Sequence, residues 1–493
     1  MSKKPNIIFI LNDHQAYYGH GKMAGGPEIN RPYFEKLASE GIKFTRAYTA
    51  CPLCGPARRT MLNGLFPHSH GEIKNDSNHP YEKEIYLDKF AEAGYKNYYF
   101  GKWHAGPGTA HDHHCEGFSY NGYNNPYTKP EYEKYLKKND LPNFQVRINH
   151  SFQANLKEEV LYKPNMNWYT ENAIGVMETP KETHEAFFLA NLARDKLIEI
   201  AESGENQPFH MRIDFWGPHQ PFFPAQEFID QYNPEEIPEY PNFGDDLQEK
   251  PEIYKYEHHF RISNNGKIII PNPLPWSTWQ KVLAFNYAQQ TLIDEAGGII
   301  LETLEELGFV ENTFVVWLSD HGDTIASHGG HFDKNAFMSE ELMRILLAIK
   351  YPDEIQPGQI SNDLVSNLDI VPTLLEIANL SFKTSLHGKS LMSLCTQKNA
   401  DWREDLMCQT YGHFTTHLGR LLITDRYKYV YNEGDMNELY DLKEDPFELR
   451  NLISNNDYDG MVSNMKTCLA KWREKTGDFI TEDMIKGKRL KKP

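Results

Sequence analysis

Two cysteines separated by two residues stand in the stretch CPLCGPAR at residues 51–58. Such a pair is typical of a redox-active dithiol or of half a zinc site. A zinc site needs two further ligands, and the stretch HDHHC at residues 111–115 could supply them. Neither chemistry explains the proline, arginine and downstream glycine that follow the second cysteine. The spacing alone therefore leaves open whether both thiols act or only one of them.

Four clusters of polar and ionisable side chains recur elsewhere in the chain. They are NDH at residues 12–14, KWH at 102–104, WGPH at 216–219 and DHG at 320–322. Carboxylates and imidazoles bind divalent cations, while lysines and histidines stabilise anionic oxygens. Together these residue types suit a ligand site that binds a divalent cation or an anion.

Each cluster directly follows a short apolar run that predicts a buried strand, at residues 6–11, 97–101, 209–214 and 314–319. Amphipathic patterns between these runs predict helices at 31–40, 85–93, 184–202 and 279–307. The alternation predicts an α/β fold with a mainly parallel sheet. Ligands bind at the carboxyl ends of parallel strands, so we expect the four clusters to converge on one site.

The pattern changes after residues 380–389. Short apolar segments at 418–424, 427–431 and 438–442 predict an antiparallel sheet, and residues 458–475 a terminal helix. We therefore predict a catalytic α/β domain over residues 1–380 and a smaller C-terminal α+β domain over 381–493. The Pro-, Asn- and Tyr-rich segments 121–167 and 232–272 are predicted to be long loops laid over the first domain.

The 493-residue chain carries 51 Lys and Arg against 69 Asp and Glu, a net charge of −18. This balance argues against nucleic acid or an anionic membrane as a partner, so an anionic substrate would need a local basic pocket. The sequence predicts neither a secretion signal nor a transmembrane helix. Six cysteines are too few for a disulfide framework, and we expect free thiols and a cytoplasmic location.

The stretch from Cys54 to Arg58, followed by Gly64, is similar to the C-x-P-x-R signature of the type I (formylglycine-dependent) sulfatases of the alkaline phosphatase-like superfamily. Other segments that resemble this family are PNIIFILND at 5–13, GKWH at 101–104, PHQPF at 218–222, SDHG at 319–322 with Lys334, NLDIVPT at 367–373 and ELYDLKEDP at 438–446. The resemblance implies a large, mainly parallel mixed sheet flanked by helices, with a smaller C-terminal domain built from an antiparallel sheet and a helix.

The resemblance also implies a nucleophile and a metal. Cys54 would be oxidised to 3-oxoalanine (formylglycine) by a formylglycine-generating or anaerobic maturation enzyme, and Arg58 would orient the hydrated aldehyde. Cys51 would have no role in the chemistry and would only pack against its neighbours. One divalent cation would bind there, with Ca²⁺ favoured over Mn²⁺, Mg²⁺ or Zn²⁺. Its implied ligands are Asp13, His14, Asp320, His321 and the modified Cys54.

By the same resemblance, Lys102, His219 and Lys334 would hold the oxygens of the ester. His219 or Lys334 would protonate the leaving group, and His104 would act as the base that releases sulfate. The alternative is that these residues have no catalytic role. Buried histidines often only form hydrogen bonds within the core, and most lysines lie at the surface.

The sequence departs from the commonest family pattern at three places. His14 and His321 stand where Asp and Asn are usual, and Ala57 stands where Ser is usual. Histidines make the metal site softer. His14 could instead be an outer partner that orients a ligand, or a simple neighbour of the site. The stretch at 51–58 and Asp320-His321 also resemble the phosphonate monoester hydrolase and phosphodiesterase branch. His413 and His417 could reach the rim of the pocket or lie in a solvent-exposed loop.

Three functions follow from these observations. The first is a sulfuric ester hydrolase that acts on a small sulfated carbohydrate or related anionic ester. The second is a phosphonate monoester hydrolase or phosphodiesterase with the same machinery. The third is a non-catalytic protein that only binds an anion and keeps Cys54 as a thiol. The sequence leaves the oligomeric state open.

Overall fold

The computed structural model describes residues 4–17, 22, 24–122, 126–151, 160–162, 173–256, 263–264, 267–268, 274–334, 336–352, 354–397 and 400–481. The strands are β1 (Asn6–Asp13), β2 (Ile42–Phe44), β3 (Ala47–Tyr48), β4 (Lys96–Lys102), β5 (Cys115–Tyr120), β6 (Val146–Ser151), β7 (Val160–Tyr162), β8 (Ala173–Met177), β9 (Phe209–Pro218), β10 (Ser263–Asn264), β11 (Lys267–Ile268), β12 (Thr313–Ser319), β13 (Arg344–Ile345), β14 (Leu347–Lys350), β15 (Gln359–Ser361), β16 (Val365–Ser366), β17 (Leu406–Thr410), β18 (Gly419–Ile423), β19 (Tyr427–Asn432) and β20 (Glu438–Asp441). The α-helices are α1 (Pro32–Ser39), α2 (Cys54–Asn63), α3 (Pro67–His70), α4 (Tyr86–Glu92), α5 (Pro130–Lys138), α6 (Glu185–Ser203), α7 (Gln226–Ile229), α8 (Glu252–Tyr256), α9 (Trp276–Glu306), α10 (Glu340–Met343), α11 (Ile370–Ile377), α12 (Met392–Thr396) and α13 (Asp459–Thr476).

An eight-stranded sheet forms the centre of the molecule, in the order β15-β2-β14-β12-β1-β9-β4-β5. Strands β12, β1, β9, β4 and β5 all run parallel, and β14 pairs antiparallel with β12 and with β2. The four strands predicted from apolar runs are the neighbours β12, β1, β9 and β4. The predicted α/β fold with a large, mainly parallel mixed sheet is confirmed.

Both faces of this sheet are buried, as expected where helices cover a parallel sheet on two sides. Successive side chains of β1 alternate between two cores: Ile8 and Ile10 lie in one, while Ile7, Phe9 and Leu11 lie in the other. Helices α6 and α9 pack over the first core, and α2, α4 and α11 over the second. Among the described helices, none is both long and apolar enough to cross a membrane.

The C-terminal part forms a separate four-stranded antiparallel sheet, β17-β18-β19-β20, with α13 packed against it. Three of the strands and the helix match their predicted positions, and β17 is an additional strand ahead of them. Residues just after position 380 remain part of the large domain's packing, because Leu391 and Leu394 lie in the core beneath the central sheet. The boundary near residue 380 stays a prediction.

The expectation of one long loop over residues 121–167 is wrong where the structure describes that segment. Residues Tyr132, Tyr135 and Leu136 are buried on one side of α5, a helical spacing that polar neighbours hide in the sequence. Strand β6 pairs antiparallel with β7 and with β8 in a small separate sheet. The segment 232–272 is largely irregular where described, and residues 257–262, 265–266 and 269–272 lie outside the described residues.

Candidate active site

The four polar clusters meet at the carboxyl edge of the central sheet. Asp13 ends β1, Lys102 ends β4, and Asp320 directly follows β12. His219 follows the last residue of β9. Because these strands are neighbours in the sheet, their carboxyl ends lie side by side. The predicted convergence of the clusters is confirmed.

Cys54 faces this edge from the first turn of α2. Its Sγ atom lies 3.2 Å from Nε2 of His321 and 3.5 Å from Oδ1 of Asp13, and the side chain is fully buried. Gly64 ends the helix in the left-handed conformation, with φ 68° and its N–H donated to the carbonyl of Thr60. Glycine adopts this conformation without strain, which explains why it follows the cysteine at this distance.

The residues around Cys54 fit a divalent cation. Potential ligand atoms of Asp13, Cys54, Asp320 and His321 all lie within 4.8 Å of one another, and all four side chains are buried. Two carboxylates with one imidazole form a donor set suited to Ca²⁺, Mg²⁺ or Mn²⁺. Burial lowers the pKa of His321, whereas Asp320 and the Cys54 sulfur raise it, to about 9 on balance. A cation bound by the imidazole would take the place of that proton.

His14 lies in a second, overlapping group of potential ligands with Asp13 and His219. Its backbone N–H donates to Oδ1 of Asp320 at 2.9 Å. Its ring packs edge-on against His321 with centroids 4.7 Å apart, and Nε2 lies 3.4 Å from Oδ1 of Asp333. The structure therefore places His14 beside the four-residue group rather than within it.

Arg58 connects the carboxylates of this site. Its guanidinium donates to Oδ2 of Asp13 and Oδ2 of Asp214, each at 2.8 Å, and to Oδ2 of Asp320 at 3.2 Å. All four side chains are fully buried. Burial lowers the pKa of Arg58, but the three carboxylates outweigh it and raise the pKa above its ordinary value. Arg58 thus holds the carboxylates of Asp13, Asp214 and Asp320 in fixed orientations.

Three buried basic groups face the same space. Nζ of Lys102 lies 2.6 Å from Oδ2 of Asp13. Nζ of Lys334 lies 2.9 Å from Nε2 of His219 and 3.1 Å from Oδ1 of Asp333. Although burial raises the pKa of Asp13, Lys102 and Arg58 hold it well below its usual range. These contacts form a local basic pocket of the kind that an anionic substrate would need.

His104 lies two residues beyond Lys102, with a backbone φ of 40° and a buried side chain. Burial and the neighbouring Lys102 lower the pKa of His104 well below its usual value. Gly101, in the same segment, has a φ of 120°, and a Cβ atom there would lie 2.0 Å from the carbonyl oxygen of Asp214. Glycine at 101 therefore lets β4 approach β9 closely just before the two basic residues.

The alternative chemistries for the cysteine pair find no support. Burial raises the pKa of the Cys51 thiol to about 12, and Cys51 forms no disulfide. His111 Nδ1 contacts the carbonyl of Cys115. Within the residues that the structure describes, no group of potential metal ligands includes Cys51 or residues 111–115.

The histidines of the second domain take different positions. His417 is buried, and its Nε2 lies 2.9 Å from Oδ1 of Asn432, so it belongs to the interior of that domain rather than to an exposed loop. His413 is half-buried and packs against the exposed ring of Phe414, with centroids 4.0 Å apart.

Four acidic residues of the site were not among the predicted ones. They are Asp214, Glu185, Asp323 and Asp333. Burial raises the pKa of Asp323 to about 8. Asp214 ends the apolar run 209–214, and that position at a predicted strand end was the available sequence signal. The other three lie at a helix start or in a loop, where the sequence carries no such signal.

Comparisons with known proteins agree with this geometry. The chain matches the family model described as Sulfatase over residues 5–380, and the one described as N-sulphoglucosamine sulphohydrolase, C-terminal, over residues 327–475. It is 26% identical to an arylsulfatase of Clostridium perfringens over 98% of each chain.

Two solved structures share the fold. One is a protein in complex with its substrate D-glucosamine-2-N,6-O-disulfate, with a TM-score of 0.72, 23% identity, and coverage of 98% of this chain and 100% of that one. The other is the phosphonate monoester hydrolase of Agrobacterium radiobacter, with a TM-score of 0.75, 18% identity and 96% of each chain covered. Both the central sheet and the separate C-terminal sheet fall within these alignments. The chain belongs to the sulfatase family, within the alkaline phosphatase-like superfamily.

Proposed function

We propose that this sulfatase-family hydrolase cleaves sulfate from a small sulfated carbohydrate or related ester, with a formylglycine made from Cys54 and one divalent cation. The position of Cys54 supports this proposal most directly. Its Sγ lies within 3.5 Å of both His321 Nε2 and Asp13 Oδ1, at the buried start of a helix. A thiol held among metal ligands and buried cations is well placed to become the attacking group.

Conversion of CH₂–SH to CH=O is a two-electron oxidation. The sulfur leaves as sulfide, the aldehyde oxygen comes from water, and an electron acceptor takes two electrons and two protons. We therefore propose a formylglycine-generating or anaerobic maturation enzyme as a partner that brings its own oxidant. When hydrated, the aldehyde supplies a hydroxyl nucleophile and a second hydroxyl through which sulfate can be expelled.

Asp13, Asp320, His321 and the modified Cys54 would hold the cation, with Ca²⁺ favoured by the two carboxylates and Mn²⁺, Mg²⁺ or Zn²⁺ as alternatives. Bound there, the cation would neutralise charge on the ester oxygens and on the nucleophile. His14 would orient this shell rather than complete it, because its backbone N–H donates to Asp320 while its ring faces Asp333.

The basic residues would stabilise negative charge and transfer protons. Lys102 and Lys334 would stabilise the negative oxygens of the ester. Burial and the Lys334 charge lower the pKa of His219 well below its usual value, so the proton for the leaving oxygen would come from Lys334. His104, also neutral because its pKa is lowered, would accept the proton whose removal releases sulfate.

A second candidate is a phosphonate monoester hydrolase or phosphodiesterase. It is favoured by the fold shared with the Agrobacterium radiobacter phosphonate monoester hydrolase and by His321 at the metal site. We rank it second because the family model and the Clostridium perfringens relative are described as a sulfatase and an arylsulfatase.

The deciding experiment uses protein co-expressed with a maturation enzyme, with the aldehyde verified by mass and each candidate cation supplied. Initial rates are measured on 4-nitrophenyl sulfate, on monosaccharide sulfates and on 4-nitrophenyl phenylphosphonate. We expect sulfate release to be faster than phosphonate cleavage, and a Cys54→Ala variant to be inactive on all of them. Faster phosphonate cleavage would establish the second candidate. A Cys54 that stays a thiol in the presence of the maturation enzyme, together with no turnover of any of these esters, would leave the non-catalytic anion-binding function.

The compartment is also a proposal. All six cysteines are unpaired, and five of them are buried, as expected for a protein kept in the reducing cytoplasm. Fractionation of the source cells with an antibody against the chain tests this location, and recovery outside the cytoplasmic fraction would contradict it.

A further inference from the structure

Three polar side chains beside the reaction centre take no part in the scheme above. They are Tyr120, at the end of β5, Trp216, near the end of β9, and Glu185, the first residue of α6. Within the described part of the chain, the buried Oη of Tyr120 and the buried Nε1 of Trp216 have no hydrogen-bond partner. Both are donors, and a buried donor without an acceptor destabilises a fold unless something else binds it.

The backbone holds these side chains in place. Oε1 of Glu185 accepts a hydrogen bond from the backbone N–H of Trp216 at 2.8 Å. The carbonyl of Tyr120 accepts the N–H of Trp103 at 2.7 Å, and Tyr120 pairs with Lys102 in the register of β4 and β5. Among the described residues, no group donates to the second carboxylate oxygen of Glu185. In the described part of the chain, one carboxyl oxygen and two donors are therefore held in place without a partner.

These residues adjoin the reaction centre on the side of β4 and β5. The rings of Trp216 and His219 pack edge-on, with centroids 6.3 Å apart. Tyr120 lies opposite Lys102, whose Nζ contacts Asp13. Burial raises the pKa of Glu185 to about 8, with a smaller contribution from Asp13. Burial and the nearby Glu185 carboxylate raise the pKa of Tyr120 above its usual value. Glu185 and Tyr120 thus lie near Asp13, and Trp216 lies beside His219, on one side of the reaction centre.

We propose that Glu185, Tyr120 and Trp216 form the subsite for the leaving group, and that this group is an uncharged, hydroxyl-bearing carbohydrate. The inference rests on the proposed function. Hydroxyls both accept and donate, so vicinal sugar hydroxyls satisfy Tyr120 Oη, Trp216 Nε1 and the open oxygen of Glu185 together. A quaternary ammonium would leave both donors unpaired, and a plain aryl group would leave all three groups unpaired.

The test compares substrates that share the sulfate and differ in the leaving group. Aldehyde-bearing, metal-loaded enzyme is assayed on glucose 6-sulfate, galactose 6-sulfate, N-acetylglucosamine 6-sulfate, choline sulfate and 4-nitrophenyl sulfate. The variants are Glu185→Gln, which keeps the acceptor for the Trp216 N–H, Tyr120→Phe and Trp216→Phe. Tyr132→Phe is the matched control, because it removes a buried hydroxyl that already donates to the carbonyl of Thr183 at 2.7 Å.

We expect each of the three variants to lower the ratio of kcat/KM on the best monosaccharide sulfate to kcat/KM on 4-nitrophenyl sulfate by about tenfold or more. The Tyr132→Phe control should leave that ratio unchanged. Melting temperatures within a few degrees of wild type would show that the variants fold.

Other outcomes overturn the inference in distinguishable ways. An equal loss of kcat/KM on sugar and aryl sulfates would show that these residues maintain the structure of the reaction centre and do not bind the leaving group. Turnover of 4-nitrophenyl sulfate or choline sulfate without any monosaccharide sulfate would refute the carbohydrate subsite while the sulfatase activity stands. Sulfate release from none of the five esters would refute the proposed function, and the subsite with it.

Discussion

Nζ of Lys334 lies 2.9 Å from Nε2 of His219, although 115 residues separate the two positions, and both side chains are buried. Burial and the Lys334 charge together lower the pKa of His219 well below its usual value. The neutral imidazole accepts a hydrogen bond from the ammonium. We therefore propose that this pair delivers a proton from Lys334 to a leaving oxygen.

This geometry predicts that the cost of removing Lys334 depends on the leaving group. We expect Lys334→Ala to lower kcat about 10²- to 10⁴-fold on an alkyl sulfate, as for loss of a general acid, and much less on 4-nitrophenyl sulfate, whose leaving oxygen needs no proton. Lys334→Arg should retain KM but not kcat on the alkyl ester. An equal loss on both esters would show that Lys334 acts only by its charge.

Cys54 Sγ contacts Asp13 and His321, whereas no described group of potential metal ligands includes Cys51. We therefore predict that only Cys54 is modified. Tryptic peptides from protein made with a maturation enzyme should show a mass lower by roughly 18 Da at Cys54, a change that differs from oxygen-adding thiol oxidation, and an unmodified Cys51. A Cys51→Ala variant should keep the aldehyde, whereas Cys54→Ala should lose it. Aldehyde at position 51 would contradict the assignment.

Arg58 is predicted to be a main source of stability at the site. Arg58→Ala leaves three buried carboxylates without their shared cation, and we expect the free energy of unfolding to fall by about 3–5 kcal/mol. The neighbouring Arg59 offers a matched control, since it lies 3.8 Å from one carboxylate, that of Glu72. Urea unfolding should show a clearly smaller loss of unfolding free energy for Arg59→Ala than for Arg58→Ala. Similar losses for both variants would refute the special role of Arg58.

Metal binding should depend on the four-residue group. We expect the dialysed protein to retain about one divalent ion per chain, with Ca²⁺ favoured, and a saturating ion to raise the free energy of unfolding by about 2–4 kcal/mol. Asp320→Ala should lose the ion in elemental analysis, and Asp245→Ala, outside the group, should retain it. Full metal content in Asp320→Ala would place the ion elsewhere.

A buried histidine that lies between two carboxylates predicts a pH dependence of stability. His328 Nδ1 lies 3.4 Å from Asp245 Oδ2 and its Nε2 3.3 Å from Glu341 Oε2. Burial and Lys250 lower the pKa of His328, but Glu341 and Asp245 raise it more, to about 8 from the ordinary 6.5. Because the folded pKa is the higher one, this stabilisation is complete below pH 6.5 and is lost as pH rises through 8.

The protonated His328 contributes about 2 kcal/mol to the free energy of unfolding. From pH 6 to pH 9, the free energy of unfolding measured with urea should therefore fall by about 2 kcal/mol more in wild type than in His328→Gln. Identical pH profiles for the two proteins would mean that His328 is neutral in the folded state.

Much of the site could be predicted from local sequence. Asp13, Lys102, His219 and Asp320 each follow an apolar run, and such runs become buried parallel strands whose carboxyl ends share one edge. The spacing from Cys54 to Arg58 is one helical turn, so both side chains must lie on one face of α2. Burial and helix geometry are short-range properties, and for that reason the sequence alone determined which residues reach the edge of the sheet.

Only the tertiary structure decided which of those residues touch. The strand order β12-β1-β9-β4 brings Asp320 and Asp214 to Arg58 across 262 and 156 residues, and it places His14 beside the group of four potential metal ligands rather than within it. Among the residues that the structure describes, the same packing leaves the hydroxyl of Tyr120 without a hydrogen-bond partner near Glu185. Contacts of this kind depend on chain topology and on the desolvation of groups distant in sequence, and no local pattern encodes either of them.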